Sequence, residues 1–336
     1  MVFVKSDAPE ERDSTATASP HASSVSFCIA QLSDLHLFNP RNMKWQDFFS
    51  KRVLGYLSWR LHRQSEHQID FMPALQKALT AAGVDHIAVT GDLTHLGHRA
   101  DFESASQIMQ QIGKPDSLTL IPGNHDAYID EPWHDKIISL KAYISSDAGV
   151  GENLLTEPGG QPLQKAPILR KRSKSALIGV SSACSTPPFM ATGTIGRRQL
   201  ENLGKMLHQT ADEALFRLIL IHHPPISGEI GHRRRLTDHA AFAEIIRQTG
   251  AELILHGHTH RFEEADIDGP CGKIPVFGAP SLTALTGRKY RRAGFRLFRI
   301  QSADGGWKVE MVVYRYSLSQ DEFIPTDTRW LSIPSQ

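Results

Sequence analysis

Five times along this chain a short apolar run of strand length breaks off directly into aspartate, histidine, asparagine or glycine. Phe27–Leu32 leads into Ser33-Asp34-Leu35-His36, and His86–Thr90 into Gly91-Asp92. Leu118–Ile121 leads into Pro122-Gly123-Asn124-His125-Asp126, and Leu218–Ile221 into His222-His223-Pro224-Pro225. Leu253–Leu255 leads into His256-Gly257-His258-Thr259-His260. Helix-like segments cover 73–82, 101–112, 197–209 and 238–249. Strand alternating with helix predicts an α/β chain whose loops gather at the carboxyl ends of the strands, where ligand sites form. Near the end, Phe295–Ile300 and Val309–Tyr316 flank Ser302-Ala303-Asp304-Gly305-Gly306, which predicts an antiparallel hairpin added to the sheet system.

The domain is expected over residues 26–320, after a polar, aperiodic and disordered tail at 1–25 and before a C-terminal tail at 321–336. Two stretches read as insertions: residues 39–70, and a Gly/Pro-rich then basic loop over 149–175 that leads into a strand at Ala176–Val180.

Composition sets the outer limits. With 40% hydrophobic and 22% charged residues, wholesale disorder is excluded and a sizeable core is available. Lys plus Arg (37) nearly cancels Asp plus Glu (36), so there is no global field for nucleic acid, and no nucleic-acid partner is expected. Cys28, Cys184 and Cys271 are widely separated and make no CxxC. That excludes a disulfide scaffold and a Cys-rich zinc site, and predicts a reduced, cytoplasmic protein. Neither a membrane-spanning run nor a secretory pattern is present in the sequence.

The run endings carry chemistry. They supply carboxylate oxygens, an amide oxygen and imidazole nitrogens, a mixed donor set suited to Mn, Fe, Co or Zn. The pairs Asp34/His36 and His258/His260 would aim to one side if their strands continued through them. Adjacent glycines let the backbone turn tightly. Two metals need about seven or eight protein ligands, with positions left for water and substrate, and a shared carboxylate commonly bridges them. Taken singly, an Asp or His at a strand end is usually a cap or turn residue. Five such endings in one chain point to a dinuclear site. His95 and His98 read as exposed loop residues, and His256 equally as a packed core histidine or a support for neighbouring donors.

In their order, D-x-H, G-D, G-N-H-D, an H-x-P-type stretch and G-H-x-H, these endings resemble the motifs of the calcineurin-like metallophosphoesterase superfamily, over about residues 27–320. The resemblance implies a sandwich of two mixed β-sheets flanked by helices. It implies Asp34, His36 and His260 around a first metal, Asn124, His222 and His258 around a second, and Asp92 bridging the two. His222 is preferred to His223 because the usual ligand stands two residues before the proline, here Pro224. His223 becomes a supporting residue, and Asp126 orients His125 or its loop. His125 would contact the phosphate or assist the leaving group. The implied cofactor is two divalent cations, Mn favoured over Fe, Co or Zn, with direct attack by a metal-bound hydroxide and no phosphoenzyme.

Substrate choice falls to the insertions. Trp45, Phe48, Phe49, Val53, Tyr56, Leu57 and Leu61 recur at near-helical spacing among Lys44, Lys51, Arg52, Arg60 and Arg63. This reads either as an interfacial helix or acyl-chain lid, or as an amphipathic helix capping the sheet. Phe48-Phe49-Ser50-Lys51-Arg52, followed by Leu54-Gly55-Tyr56-Leu57, is similar to metallophosphoesterases that cleave UDP-2,3-diacylglucosamine. The five motifs are shared with bacterial class III cyclic-nucleotide phosphodiesterases. Arg233, Arg234 and Arg235 read as contacts for a substrate phosphate. A second basic run takes in Arg288, Lys289, Arg291 and Arg292, while Arg296 and Arg299 read as outward residues of a strand. The expected function is metal-dependent hydrolysis of a phosphodiester or pyrophosphate bond in a small or lipid-linked nucleotide. A cyclic AMP phosphodiesterase is the alternative, and a non-catalytic scaffold is disfavoured because every expected ligand is present. Location is expected in the cytoplasm, with peripheral contact at the inner membrane face through residues 39–64.

Overall fold

The structure, a computed structural model, describes residues 26–63, 72–131, 136–148, 167–226, 228, 230–284 and 292–336. The expected tail at 1–25 lies outside the described residues, as do 64–70 and 149–166 of the two insertions and Arg288, Lys289 and Arg291. The first strands are β1 (Phe27–Leu32), β2 (His86–Val89), β3 (Leu118–Leu120), β4 (Ile168–Arg172), β5 (Ser175–Val180) and β6 (Phe216–Ile221). They are followed by β7 (Leu253–His256), β8 (Glu263–Gly269), β9 (Gly272–Gly278), β10 (Gly294–Ala303), β11 (Gly306–Ser317) and β12 (Glu322–Pro334). The helices are α1 (Arg52–Ser58), α2 (Met72–Ala81), α3 (Arg99–Ile112), α4 (Arg197–Asp212) and α5 (His239–Thr249).

The strands form two six-stranded sheets, ordered β12-β11-β10-β1-β2-β3 and β4-β5-β6-β7-β9-β8. Both are mixed: β1, β2 and β3 run parallel beside the antiparallel β10–β12, and β5, β6, β7 and β9 run parallel between antiparallel β4 and β8. Period-two alternation explains how the sheets stack. In β6, Phe216, Leu218 and Leu220 join the core shared with the first sheet, while Ile219 and Ile221 join the cluster under α4 and α5. Phe216 meets Trp307 edge-on at 5.4 Å and Phe277 meets Phe298 at 5.6 Å, so aromatic rings bridge the two sheets. Leu200, Leu203 and Leu207 of α4 repeat at helical spacing and are buried in the second cluster. Each such fully buried aliphatic side chain contributes roughly 1.5–3 kcal/mol.

Four expectations need correction. Glu322–Pro334 is no tail: it is β12, paired along its length with β11. The basic end of the 149–175 stretch is β4 rather than loop, because Arg170 is buried and donates to Ser145 O and Leu118 O. Residues 39–63 form no single helix. They break into 3-10 turns at Pro40–Asn42 and Trp45–Phe49, then α1, then a π turn at Trp59–Arg63. This strap is folded around buried Arg52, which donates to Leu96 O, Gly97 O, Asp47 and Glu131. Finally, Arg296 does not face solvent. It is wholly buried between the rings of Phe262 and Phe277 and paired with Glu264, because β10 is an interior strand covered on both faces.

His86 of β2 gives the fold a pH signature. Its Nε2 lies 2.8 Å from Thr119 Oγ1, and burial, then the charges of Arg172 and Arg170, push its pKa down to about 3. Between that value and the ordinary one of about 6.5 only the unfolded chain takes up the proton, so stability falls as pH falls through this window. From pH 6.5 to 5 this group alone is expected to remove about 2 kcal/mol. Denaturant midpoints at several pH values should therefore decline less steeply in His86→Gln than in the parent chain; parallel slopes would refute the assignment.

Candidate metal centre

The polar endings lie just past β1, β2, β3, β6 and β7, and the two sheets bring them to one edge of the sandwich. Beyond its strands the backbone stays stitched. Asp34 N–H donates to Gly91 O at 3.0 Å, His36 N–H to Asp92 O at 2.9 Å, and Gly257 N–H to His222 O at 3.1 Å. The paired donors do not share a side because a strand runs through them, since β1 stops at Leu32 and β7 at His256. Left-handed turns do it instead: Asp34 (φ 55°), His36 (49°), Asp92 (54°), His258 (70°) and His260 (55°) all have positive φ. Such residues persist only where surroundings over-determine them, and they concentrate at functional sites. Two glycines make room. A Cβ on Gly123 would run into Asp92, and one on Gly257 into Ser33 and Asp34.

Each carboxylate is held by one oxygen and presents the other. Asp34 Oδ2 accepts from Ser33 Oγ (2.6 Å) and His258 N–H (3.1 Å), and Oδ1 makes no hydrogen bond and faces His260 Nε2 (3.2 Å) and His36 Nε2 (3.7 Å). Asp92 Oδ1 accepts from His125 N–H (2.8 Å), while Oδ2 faces His36 Nε2 (3.8 Å) on one side and His222 Nε2 (3.4 Å) on the other. His36 Nε2 and His260 Nε2 lie 2.9 Å apart. Around the second group, Asn124 Oδ1 is 3.2 Å from His222 Nε2 and 2.9 Å from His258 Nδ1.

These donors fit divalent cations. Atoms that bind one ion at about 2.0–2.2 Å stand about 3.0–3.5 Å from one another, and the separations here, from 2.9 to 3.8 Å, bracket that range. His222 Nδ1–H donates to Thr90 O at 2.7 Å, which leaves the Nε2 lone pair facing the oxygens of Asn124 and Asp92. Acceptors converging in buried space are costly unless a cation lies among them. The field shows the same need. Burial works against a charge on His222, yet Asp92 and Asp34 raise its pKa to about 9. For Asp34 burial is opposed by His260, His222 and Ser33, and the net shift is downward.

The other candidates fall around this cluster. His125 donates from Nδ1 to His95 O (2.7 Å), meets His36 edge-on at 4.7 Å, and is stacked between His95 (5.0 Å) and Tyr128 (5.7 Å). Asp126 is buried, and its carboxylate is spent on the neighbouring loops. It accepts from the N–H groups of Leu93, Thr94 and Gly123 and from Thr94 Oγ1, and so braces the Asp92 loop against the Asn124 turn. His223 is buried, 2.7 Å from Ser182 Oγ through Nδ1, with its ring 4.5 Å from that of His258. Burial first, then His258 and His222, hold it neutral. Arg233, Arg234 and Arg235 are exposed, and Arg233 O and Arg235 O accept from Ala191 and Gly193. The charge of Arg234 adds to burial, His222 and His260 in lowering the pKa of His258. His256 is packed and neutral, with Nδ1 3.0 Å from Gly257 O.

His95 and His98 overturn the expectation of exposed loop residues, since both are buried. His95 Nε2 lies 3.2 Å from Gly55 O of the strap, and His98 lies 3.7 Å from Asp47. The cover comes from residues some 40 to 50 positions earlier, which local sequence could not reveal. Thr90 acts through its carbonyl and so leaves no side-chain signal, whereas Ser33 and Tyr128 were visible as polar neighbours of Asp34 and His125.

The family model described as calcineurin-like phosphoesterase matches residues 28–262. No curated protein matches the chain. Among solved structures, a dimetal phosphatase from Danio rerio is similar at 11% identity and TM-score 0.52, covering 91% of this chain and 98% of that one. Vacuolar Protein Sorting 29 from Cryptosporidium parvum aligns at 11% identity and TM-score 0.42, covering 91% and 98%. A 5'-nucleotidase precursor from Thermus thermophilus aligns at 11% identity and TM-score 0.44, covering 92% and 55%.

If the two donor groups each take an ion, metal-free protein titrated with Mn²⁺ should bind about two ions per chain. At about 100 times the dissociation constant, bound metal should add roughly 2.7 kcal/mol per site to folding stability. Asp92→Asn should bind fewer ions, and more weakly. A melting curve unmoved by Mn²⁺, Co²⁺ or Zn²⁺ would show that the donors form no metal site.

Proposed function

Because the chain belongs to the calcineurin-like phosphoesterase family, we propose that it is a metal-dependent phosphoester hydrolase acting on a phosphodiester or pyrophosphate bond in a small or lipid-linked nucleotide. The observation that carries this reading is the pair of buried donor groups that share Asp92 Oδ2, with His125 beside them. Asp34, His36, His260 and Asp92 would hold one divalent ion, and Asp92, Asn124, His222 and His258 the other. Bound there, two such ions supply Lewis acidity toward the phosphoryl oxygens and a nucleophile at neutral pH.

The rest of the work belongs to the chain. Burial of Asp34, Asp92, His222 and their neighbours strengthens every interaction within the pocket. His125 spends Nδ1–H on His95 O, so Nε2 is the ring nitrogen that would act on the substrate. In its protonated form that nitrogen donates to the departing oxygen and transfers the proton as the ester bond breaks. The stacked rings of His95 and Tyr128 hold the imidazole plane during this transfer. Arg234, exposed and with a charge that bears on His258, suits a second anionic group such as a distal phosphate.

Mn²⁺-dependent turnover of UDP-2,3-diacylglucosamine and of cyclic AMP, measured side by side, tests the substrate class. The lipid nucleotide is expected to be the substrate; turnover of cyclic AMP alone would replace that reading. Asp92→Asn should lower kcat by about 10³-fold or more while circular dichroism stays unchanged. His125→Ala should cost about 10²–10⁴-fold on esters with poor leaving groups and much less on a p-nitrophenyl ester, whose leaving group needs no proton. Equal losses on both would remove His125 from the proton-transfer role.

A further inference from the structure

The strap presents an outward face that the metal centre does not use. Trp45, Phe48, Phe49, Leu57 and Leu61 are 72%, 51%, 85%, 46% and 73% exposed, and Trp45 meets Phe49 edge-on at 6.2 Å. Most of the large exposed apolar side chains among the described residues thus stand within 17 positions, where scattered single residues would be ordinary. This exposure does not come from a loosely attached segment. Arg52 is buried beneath it with hydrogen bonds to two backbone carbonyls and two carboxylates. A Cβ on Gly55 would strike Leu96 and Tyr128, so α1 packs closely on the body. Lys51 Nζ donates to Thr186 O and Oγ1, tying the strap to the loop that carries Phe189, itself 77% exposed.

Charge identifies the occupant. Arg41, Lys44 and Arg60 are exposed in the same stretch of chain, and its one acid, Asp47, is buried against Arg52 and His98. The face is therefore apolar and cationic, with no exposed acid between residues 39 and 61. A second copy of the chain docked face to face there would set these cations against themselves. An anionic bilayer instead offers negative headgroups to the cations and hydrocarbon to the rings. No described helix is long and apolar enough to cross a membrane, so the contact would be confined to the surface.

We propose that the strap is a docking surface for anionic lipid bilayers, with Trp45, Phe48 and Phe49 entering the headgroup boundary and Arg41, Lys44 and Arg60 pairing with lipid phosphates. The proposal does not depend on which nucleotide the metal centre accepts, because its test reads binding and not turnover. Full-length protein is floated with vesicles of phosphatidylcholine alone or with about one quarter phosphatidylglycerol. It should float with the anionic vesicles, and about 1 M salt, which shrinks the Debye length to about 3 Å, should weaken that binding. The double variant Trp45→Ser/Phe49→Ser should bind at least about tenfold more weakly. It should keep the parent's circular dichroism and its rate on a soluble ester. Arg41→Glu/Lys44→Glu should erase the preference for anionic over neutral vesicles. Failure to float, flotation indifferent to these substitutions, or a dimer in sedimentation that Trp45→Ser/Phe49→Ser dissociates would each overturn the proposal.

Discussion

The site turns on one carboxylate oxygen, Asp92 Oδ2, placed between two groups of buried acceptors. On one side stand Asp34 Oδ1 and the nitrogens of His36 and His260; on the other stand Asn124 Oδ1 and the nitrogens of His222 and His258. Such an assembly opposes folding in the absence of positive charge, because lone pairs and carboxylates are taken from water and pointed at one another. The structure meets this cost by fixing the other end of each group. Ser33 and the amides of His258 and His125 hold the carboxylates, and Thr90 O holds His222. Five residues of the cluster sit in left-handed backbone, a further local cost of the order of 1 kcal/mol each or more. The two packed sheets and their bridging aromatic rings supply the stability that tolerates it.

Much of this was legible because strand-end loops report on themselves. A run such as Leu218–Ile221 announces a buried strand, and the residues that follow must lie at its carboxyl edge. Asp34, Asp92, Asn124, His222 and His258 could therefore be placed together before any contact was known. What stayed hidden depended on partners far along the chain. Nothing near His95 says that Gly55 will cover it, and nothing near Arg296 says that β10 lies in the interior of a sheet, between β1 and β11. Glu322–Pro334 alternates weakly, with most side chains exposed, so an edge strand resembles a tail until β11 is seen beside it. The strap misled in another way. Its apolar spacing is nearly helical, but several of the spaced residues face solvent, so the periodicity does not mark a buried face.

The strap and the metal centre share one loop. Asp92 opens it as the shared carboxylate, Leu93 and Thr94 are held by Asp126, and the His95 carbonyl receives the His125 ring. Leu96 O and Gly97 O then receive Arg52, and the His95 ring lies against Gly55 O. Six consecutive residues thus set the position of the oxygen shared by the two donor groups, the tautomer of the imidazole beside it and the seat of the exposed strap. A displacement of the strap would be carried to His125 through His95, whose ring and carbonyl are both engaged. The proposed docking surface and the imidazole proposed to act on the substrate are therefore joined by one short turn, and closely packed contacts of this kind transmit small shifts.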